Sequence, residues 1–525
     1  MRQPTVFEEC SNGRDEPGRR RGVDITGALP VPEARVGPRN DGPRNGLRAS
    51  LARMSVDPDF DVVVIGAGGA GLAAAVGAAE QGRTVLVIEA ANRVGGATAL
   101  AGGSFMVAGT PAQAEIGHPG DTADAFFDHY LTFNRWEIDP AVARRFCDEA
   151  LPTYEWLVEL GLRFTADGLY RATRESAPRS HRPVGAGAAI VEVLHREASR
   201  LGVDVALSRR VDGLELGPGG APHLVRAAGE QVSAHAVIVT TGGFGANPEL
   251  VAEHIPDAQG DPVWSPTAPT CRGDGLALLT ALGAATSGRN HGDLLLTAGL
   301  VTEIEPFVPP WLMIVGRDGR RFVDESAPYP VLTPLGLRNG PCWVILDDQQ
   351  VRSAKADPTS AWGAGTWTAD TLRQAVGDGR VRSADTIEGL AASTGLPERA
   401  LAAAVARYNR HCARGHDDEF GKRPEGLVPV EHPPFHAVAL APAVVALTGY
   451  GPRIDPHGRV LAAADGDPIP GLYAAGEVTG NVLGPQYLGG GNAIGSALIF
   501  GRIAGRHAAG DHETAGLASA TGVAR

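Results

Sequence analysis

Residues 61–89 read DVVVIGAGGAGLAAAVGAAEQGRTVLVIE, and this stretch decides the fold. The run at 61–65 is mostly β-branched, which is typical of a strand buried on both faces. It leads into the glycines of GAGGAG (66–71), a helix of small residues and a second strand that ends at Glu89. Strand, glycines, helix, strand and acid follow one another within about 30 residues, which predicts a Rossmann-like dinucleotide-binding unit in a chain of the α/β class.

Each part of this unit has a physical task toward a dinucleotide. Gly66 permits the tight turn, Gly68 lets the backbone approach a pyrophosphate, and Gly71 lets helix and strand pack closely. The start of the helix offers free N–H groups and a partial positive charge to the phosphates. Glu89 is placed to accept hydrogen bonds from the hydroxyls of an adenosine ribose.

The composition is that of a soluble globular enzyme, and 525 residues predict two interlocked domains. The formal net charge of -13 repels nucleic acid and anionic lipid, so neither is expected as a partner. The five cysteines lack paired spacing, which predicts neither a zinc site nor a disulfide framework and suits a reducing cytoplasm. No run of about 18 apolar residues occurs, so we expect no membrane span and a cytoplasmic location.

The first 55 residues are rich in proline, glycine and arginine and have no apolar period, which predicts a disordered leader over 1–55. Arg19, Arg20 and Arg21 are not followed by the apolar segment of a twin-arginine export signal. Met54 stands directly before SVDPDFDVVVIG and is an alternative start of the native protein.

Three further segments favour FAD over NAD as the dinucleotide. A second glycine segment, GGATALAGG (95–103), stands where a ribityl chain and an isoalloxazine ring need close backbone contact. The strand in AHAVIVTTGGFG (234–245) ends in a threonine and glycine turn. PIPGLYAAGEVTG (468–480) and GGGNAIG (489–495) precede a helix whose dipole would stabilise negative charge on a flavin.

From about Asp59 to Ala508 the chain resembles the FAD enzymes of the fumarate reductase/3-ketosteroid dehydrogenase superfamily. The resemblance is carried, in collinear order, by VVVIGAGGAGLAAA, GGATALAGG, TTGGFG, RGDGLALLTALGA, GRDGRRFVDE, RYNRHC, IDPHGRVL and GLYAAGEVTG with YLGGGNAIGSALIFGRIAG. It implies a Rossmann-like FAD-binding domain of the glutathione-reductase type (56–260 and 441–510), interrupted by an α+β capping domain (261–440) and followed by a flexible tail (511–525). Within the cap, Gly395 and Pro397 divide the helical stretch at 383–415 into two helices.

The residues expected to bind FAD come from several of these segments. They are Gly66, Gly68, Ala70, Gly71, Glu89, Ala90, Gly95, Gly96, Ala97, Thr98, Gly102, Gly103, Val211, Thr240, Gly242, Asp274, Gly476, Glu477, Asn492, Ala493 and Ile494. Family members that tether FAD use a histidine shortly after the second strand, where this chain has 95–98, so the resemblance implies non-covalent FAD. Since there is no second dinucleotide fingerprint, haem motif or iron–sulfur cysteine set, we expect an external electron partner such as a quinone, a carrier protein or oxygen.

The dicarboxylate reductases of the superfamily differ from this chain at the residues that handle their substrate. Their catalytic arginine stands four residues after the glutamate of GKRFVNE, where this chain has Tyr329. Their substrate arginine falls in 486–489, which reads QYLG, and their histidine falls at Leu447 or Thr448. A site for two carboxylates needs fixed cations or bidentate donors, so we expect a dicarboxylate to be a poor substrate.

The same positions resemble those of the 3-ketosteroid dehydrogenases. Tyr329 lies in DESAPY, whose counterpart supplies a tyrosine base, and Tyr487 with Gly491 has the offset of the segment that polarises the ketone. The resemblance implies that the Tyr487 hydroxyl and the Gly491 N–H stabilise an enolate. Tyr329 would take the α-proton if the flavin environment lowered its pKa. Packing against the flavin ring is the alternative role of each tyrosine.

Several roles stay open at this point. Candidates for a third tyrosine are Tyr130, Tyr170 and Tyr450. Asp274 is expected to cap its helix, with a flavin contact as the alternative, and Glu477 supports the flavin segment or takes part in the chemistry. His181 and Arg182 line the site or form a helix-entry turn with the arginine in a salt bridge.

Three functions are compatible with the sequence. The favoured one is an FAD-dependent oxidoreductase that desaturates, or reduces the C=C bond of, a neutral cyclic ketone, either steroid-like or a natural-product ring. The second is a reductase of an unsaturated carboxylate, in which His181, Arg182 or Arg453 replaces the missing arginines. The third is a flavin-binding protein without turnover of its own.

Overall fold

The strand predicted at 61–65 lies in the middle of the largest sheet of the computed structural model. The structure describes residues 58–173, 175–218, 221–260, 263–300, 308–354 and 367–520, without the side chains of 511–520. The leader predicted over 1–55 lies outside the described residues. Ser55–Arg525 form one compact unit.

Strands and helices both run through the described residues, and the predicted α/β class is confirmed. The strands are β1 (Phe60–Ile65), β2 (Val85–Ile88), β3 (Phe105–Met106), β4 (Phe164–Tyr170), β5 (Ser180–Pro183), β6 (Asp204–Ala206), β7 (Val211–Glu215), β8 (His223–Ala227), β9 (Glu230–Val239), β10 (Thr286–Ser287), β11 (Gly292–Thr297), β12 (Met313–Val315), β13 (Cys342–Asp347), β14 (Arg382–Ala384), β15 (Phe435–Thr448), β16 (Gly451–Pro452), β17 (Arg459–Leu461) and β18 (Pro468–Ala474). The helices are α1 (Gly69–Ala79), α2 (Pro111–Glu115), α3 (Ala123–Phe133), α4 (Pro140–Glu159), α5 (Ala186–Arg200), α6 (Pro248–His254), α7 (Asp274–Ala281), α8 (Tyr329–Asn339), α9 (Asp348–Ser353), α10 (Ala369–Gly377), α11 (Ile387–Thr394), α12 (Glu398–Arg414) and α13 (Asn492–Ala520).

The largest sheet is built around β1, which has a parallel strand on each side. Its order is β17-β18-β9-β1-β2-β6, and β7 and β8 form a hairpin attached to β9. Val63 of β1 pairs with Leu86 and Val237 and is fully buried, as expected for a parallel sheet covered on both faces. Because parallel strands end at the same edge, the residues that follow β1, β2, β9 and β18 meet there.

Helices α1 and α13 approach each other at backbone distance. A Cβ atom added to Gly501 would lie 2.3 Å from the carbonyl oxygen of Ala70, and one added to Gly505 would lie 2.1 Å from that of Ala74. A Cβ atom on Gly77 would likewise lie 2.9 Å from the carbonyl oxygen of Arg502. The small residues of the first helix are therefore required by the close packing of the last one.

The second large sheet is antiparallel, with the order β11-β15-β13-β12 and with β14 paired to β15. Its longest strand, β15, pairs with β11, β13 and β14 and crosses the predicted domain boundary at residue 440. The bounds of the two domains stay a prediction. Gly395 ends α11 with a φ of +76°, and α12 begins after Pro397, so the predicted division of this stretch into two helices is confirmed.

The last helix is longer than the sequence predicts. α13 continues to Ala520, past residue 510, and the flexible tail over 511–525 stays a prediction. Residues 511–520 contain no proline, so nothing in their backbone ends the helix at that point. None of the helices in the described part of the chain has the length and hydropathy to cross a bilayer.

A buried ion network holds the antiparallel sheet to its neighbouring loop. The Arg321 guanidinium donates to both carboxylate oxygens of Glu325, at 2.9 and 2.8 Å, and to both of Asp417, at 3.2 and 3.0 Å. Lys422 Nζ lies 3.1 Å from Glu325 Oε2 and donates to the carbonyl oxygen of Leu312 at 2.7 Å. Burial alone would raise the pKa of Asp417, but the hydrogen bonds from Arg321 lower it to about 2. Asp417 is therefore ionised at neutral pH and pairs with the Arg321 guanidinium.

We expect Arg321→Met to lower the free energy of unfolding by roughly 3–5 kcal/mol, because it leaves two buried carboxylates without their common partner. Arg320→Met is the matched control, since the side chain of Arg320, next to Arg321 in the chain, is exposed. It should change the free energy of unfolding by less than about 0.5 kcal/mol. Urea unfolding followed by circular dichroism measures both. Equal unfolding midpoints for the two variants would contradict a stabilising role of the network.

Candidate active site

A cavity lies along the edge where β1, β2, β9 and β18 end. One end is lined by the glycine loop after β1 and by Glu89, and the other by Asp293, Tyr329 and Tyr487. The starts of α1 and α13 both face this cavity, through 69–70 and 493–494 respectively. A ligand with phosphates at one end and a ring at the other would fit between the two helix starts.

The glycine loop is shaped by contacts that exclude side chains. Gly66 has a φ of +106°, and a Cβ atom there would lie 2.6 Å from the carbonyl oxygen of Thr240. A Cβ atom on Gly71 would lie 1.9 Å from the carbonyl oxygen of Gly66. A Cβ atom on Gly68 would meet no atom within 4 Å, and the N–H of Gly69, the first residue of α1, donates to Thr98 Oγ1 at 3.1 Å. The loop thus leaves room for a pyrophosphate at the start of the helix.

Glu89 stabilises the glycine loop through hydrogen bonds to its backbone. Its Oε2 atom accepts the N–H of Ala67 at 2.7 Å, and its Oε1 atom accepts that of Ala91 at 2.7 Å. Each carboxylate oxygen has a second acceptor position, so the bonds to the backbone leave Glu89 able to accept ribose hydroxyls. The residues present at this end of the cavity fit an FAD molecule.

Two acidic residues expected near the flavin have structural partners. Glu477 Oε1 accepts the N–H and the hydroxyl of Thr448, at 2.9 and 2.8 Å, which ties the end of β15 to the loop after β18. Burial raises the pKa of Glu477. Asp274 does not cap its helix as expected: Gly273 occupies the cap position without a side-chain bond, and Asp274 is the first helical residue and pairs with Arg210.

Tyr329 and Tyr487 lie at the same end of the cavity on different elements. Tyr329 is the first residue of α8, and Tyr487 stands in the loop before α13. Burial raises the pKa of both well above 10, and the charge of Asp293 adds to the effect. The protein groups around Tyr329 and Tyr487 therefore raise the pKa of both and keep both hydroxyls protonated.

Of the three candidates for a third tyrosine, Tyr170 lies beside the site. Its hydroxyl donates to Ser104 Oγ at 3.0 Å, and Ser104 lines the cavity. The Tyr130 hydroxyl instead donates to the carbonyl oxygen of Val482 at 2.8 Å. Tyr450 stacks on a histidine ring at a centroid distance of 4.0 Å and is not among the residues that line the cavity.

Most residues expected to bind FAD line the cavity. These are Gly66, Gly68, Ala70, Glu89, Ala90, Gly96, Ala97, Thr98, Gly102, Gly103, Val211, Thr240, Gly242, Asp274, Gly476, Glu477, Ala493 and Ile494, with Tyr329, Tyr487 and Gly491. Gly71 and Gly95 instead pack under the loop, where the Gly95 N–H donates to the carbonyl oxygen of Ala67 at 2.8 Å. Asn492 is buried and donates to the Tyr130 hydroxyl at 3.2 Å.

Several cavity residues were not foreseen from the sequence, among them Arg209, Thr267, Cys271 and Asp293. Asp293 is the most consequential, because it is an acid at the tyrosine end. Its only signal in the sequence is an acid at the head of the apolar run GDLLLT (292–297). Such a signal is too weak to assign a function.

The cations proposed to replace the missing arginines, His181, Arg182 and Arg453, are not among the residues that line the cavity. His181 contacts Thr110 Oγ1 and the carbonyl oxygen of Arg179, each at 2.8 Å. It stands on β5 with Arg182 rather than in a helix-entry turn, and Arg453 pairs with Asp139 at 3.4 Å. Among the described residues that line the cavity, the one cation is Arg209, whose backbone N–H donates to the carbonyl oxygen of Glu89. No described cation thus lines the tyrosine end, and one of the three, Arg182, lies over the Tyr170 ring at 5.5 Å from its centroid.

Residues 61–494 match the family model described as FAD binding domain. The chain is 31% identical over 467 residues to NADH:fumarate oxidoreductase of Klebsiella pneumoniae, which covers 86% of this chain and 48% of that protein. This chain therefore spans about half the length of that relative.

Two further matches cover nearly the whole of the other protein. Vinyl phenol reductase of Lactiplantibacillus plantarum is 30% identical over 492 residues, covering 86% of this chain and 96% of that protein. The solved structure of 3-ketosteroid-Δ4-(5α)-dehydrogenase from Rhodococcus jostii RHA1 matches with a TM-score of 0.71 and 27% identity, covering 88% of this chain and 99% of that one.

Gly71→Ala should destabilise the protein by roughly 1–3 kcal/mol and abolish retention of FAD, because the new methyl group would overlap the Gly66 carbonyl oxygen. Gly377→Ala is the control, since a Cβ atom at the end of α10 meets no atom within 4 Å. It should leave FAD content unchanged and raise stability slightly. The ratio of flavin to protein absorbance and the melting temperature of the purified variants check this. Full FAD occupancy in Gly71→Ala would show that the loop is not packed as described.

Proposed function

This chain belongs to the FAD binding domain family of flavoproteins, and we propose that it is an oxidoreductase that desaturates a neutral cyclic ketone, or reduces the corresponding C=C bond. The resemblance to the fumarate reductase/3-ketosteroid dehydrogenase superfamily is confirmed by the family match and the relatives. The observation that carries the substrate proposal is the set of groups at one end of the cavity: two protonated tyrosines and a glycine N–H, with no described cation.

FAD would be held by the groups already described. The pyrophosphate would lie at Gly66, Gly68 and the start of α1, and the adenosine ribose at Glu89. Ala493 and Ile494, at the start of α13, would face the flavin ring. Bound FAD would supply an acceptor for the hydride that leaves the carbon β to the ketone.

The residues of the chain would polarise the ketone. Tyr487 keeps its hydroxyl proton at neutral pH, because burial raises its pKa well above 10, and it can donate that proton to the ketone oxygen. The Gly491 N–H would be the second donor. Gly491 has a φ of +107°, and a Cβ atom there would lie 2.8 Å from the Met106 nitrogen, so this position requires glycine. Two fixed donors would stabilise the enolate that forms as the α-proton leaves.

The lining of the cavity favours a neutral ring over a carboxylate. Leu295, Ala446 and Leu447 line the same space as the tyrosines, and such apolar walls favour a hydrocarbon skeleton. A carboxylate placed there would lose its hydration without gaining a cation from the described residues. Asp293 would also repel it.

Reduction of an unsaturated carboxylate is the second candidate. It is favoured by the likeness to NADH:fumarate oxidoreductase, whose name specifies such a substrate. The tyrosine end gives it no support among the described residues, because His181, Arg182 and Arg453 do not line the cavity. A quinone, a carrier protein or oxygen is proposed as the electron partner in either case.

Anaerobic mixing of the yellow holoenzyme with 3-ketosteroids and other saturated cyclic ketones tests the proposal. We expect a ketone to bleach the flavin absorbance, and succinate not to bleach it. Tyr487→Phe should slow the bleaching roughly 10²–10³-fold, because one donor to the developing oxyanion is lost. Tyr329→Phe should slow it as well.

Tyr450→Phe is the matched control, because Tyr450 does not line the cavity, and it should bleach at the normal rate. Bleaching by succinate alone would overturn the ketone proposal in favour of the carboxylate reductase. If neither ketones nor succinate react, and if enones and unsaturated acids fail to reoxidise the reduced enzyme, the chain is a flavin-binding protein without turnover.

A further inference from the structure

Asp293 brings a carboxyl group to the end of the cavity where the two tyrosines lie. It is the second residue of β11, and its partner across the sheet is Leu447 of β15. The pairing is irregular between Asp293 and Leu294, and such bulges re-aim a side chain next to a site. Asp293 and Leu295 lie two positions apart, and both line the cavity. Part of the Asp293 surface is open to the cavity and the rest is enclosed by protein.

The surroundings of Asp293 are costly for a carboxylate. Burial raises its pKa to about 7, and no hydrogen bond or cation from the described residues offsets that effect. A carboxyl group without a partner in an apolar site lowers stability. Groups of this kind concentrate at functional sites, where a pKa near neutrality suits proton transfer.

Several titratable or charged side chains surround Asp293, and most of them are not placed to exchange a proton with it. Tyr329 stands on α8, which packs against β11, and Tyr487 faces the same space from the loop before α13. The other titratable or charged groups on the packed elements are His291, Glu477, Tyr170 and Arg338. Glu477 is committed to Thr448 on β15, and Arg338 is in the last turn of α8, away from Tyr329. The two tyrosines are therefore the protein groups best placed to exchange a proton with Asp293.

A buried tyrosine is a poor base by itself, because its hydroxyl must first ionise. Tyr329 has a pKa well above 10, and the negative charge of Asp293 contributes to that rise. The same charge favours movement of the hydroxyl proton toward Asp293. The α-proton of the ketone could then bind Tyr329 as its own proton leaves.

We propose that Asp293 is the proton acceptor of the site and receives, through the Tyr329 hydroxyl, the proton lost from the α-carbon of the substrate. The inference rests on the proposed function. The α C–H bond breaks, its proton binds Tyr329 Oη, and the former hydroxyl proton of Tyr329 passes through a bridging water to the Asp293 carboxylate. The α C–H electron pair forms the new C=C bond, as the β-hydride with its two electrons leaves to FAD. Tyr329 is neutral before and after the step, and the reverse reaction returns the proton from Asp293.

The first experiment needs no substrate. The visible absorbance of the flavin in the holoenzyme is recorded from about pH 5 to about pH 9, on either side of the Asp293 pKa of about 7. We expect a spectral step with a midpoint near that value, because a charge that appears in the cavity would shift the absorption of bound flavin. The step should vanish in Asp293→Asn and persist in Asp204→Asn, an exposed acid at the start of β6. Persistence of the step in Asp293→Asn would overturn the proposal.

The second experiment follows the pH dependence of flavin bleaching by the reactive ketone. Desaturation needs the unprotonated carboxylate, so its rate should rise as the pH rises through about 7. The reverse reduction needs the acid, and its rate should fall over the same range. Asp293→Asn should slow desaturation roughly 10²–10⁴-fold and remove this pH dependence. An unchanged pH profile in Asp293→Asn would contradict the relay and leave the ketone proposal standing.

Tyr329→Phe separates the relay from a structural role of Asp293. It should retain the spectral step, because the carboxyl still ionises, but its slow bleaching should no longer follow that ionisation. This variant also decides the matter if Asp293→Asn fails to retain FAD: bleaching that still follows the step would overturn the relay through Tyr329. If no ketone reacts in either direction, the relay falls with the proposed function, and the spectral step then reports a buried acid with no part in ketone chemistry.

Discussion

Contact between backbones at glycine positions is the constraint on which the arrangement depends. Gly71 lies against the carbonyl of Gly66, and Gly501 lies against that of Ala70, so one added methyl group would separate β1, α1 and α13. The two helices consequently start at the same sheet edge and direct their amino ends into one cavity. The two helix starts therefore fix the direction in which a dinucleotide would lie between them. That direction also fixes the end of the cavity at which a substrate would meet the flavin.

The parts of the fold that follow from the sequence are those in which a local pattern has one physical solution. The order of strand, glycines, helix and acid at 61–89 requires a tight turn with a brace, and Glu89 forms that brace through two backbone bonds. Gly395 and Pro397 likewise separate two helices wherever they occur in a helical stretch. Tyr329 and Tyr487 could be chosen because motif order identified them, and they share one end of the cavity.

The features of the site that could not be predicted depend on residues that are distant in the sequence and meet only in the folded chain. Asp293 stands 36 positions before Tyr329 and 194 before Tyr487 in the printed sequence, and no local spacing links it to either. The pKa of Tyr329 depends on that carboxyl and on burial, so a lowered value could not be checked from the motif alone. The cap role of Asp274 failed for a similar reason, because Arg210 pairs with its carboxylate from another part of the chain.

The long strand β15 has a consequence for how such enzymes diversify. Its first half pairs with β13 and β14 in the interior of the antiparallel sheet, and its last residues form a wall of the cavity. Glu477 anchors its end through Thr448, so a change in twist or length cannot be absorbed at that terminus. Substitutions deep in the sheet, far from any ligand, can therefore remodel the chamber while the dinucleotide loop keeps its shape. Selection for new substrates can therefore act on residues of the antiparallel sheet and leave the cofactor-binding residues unchanged.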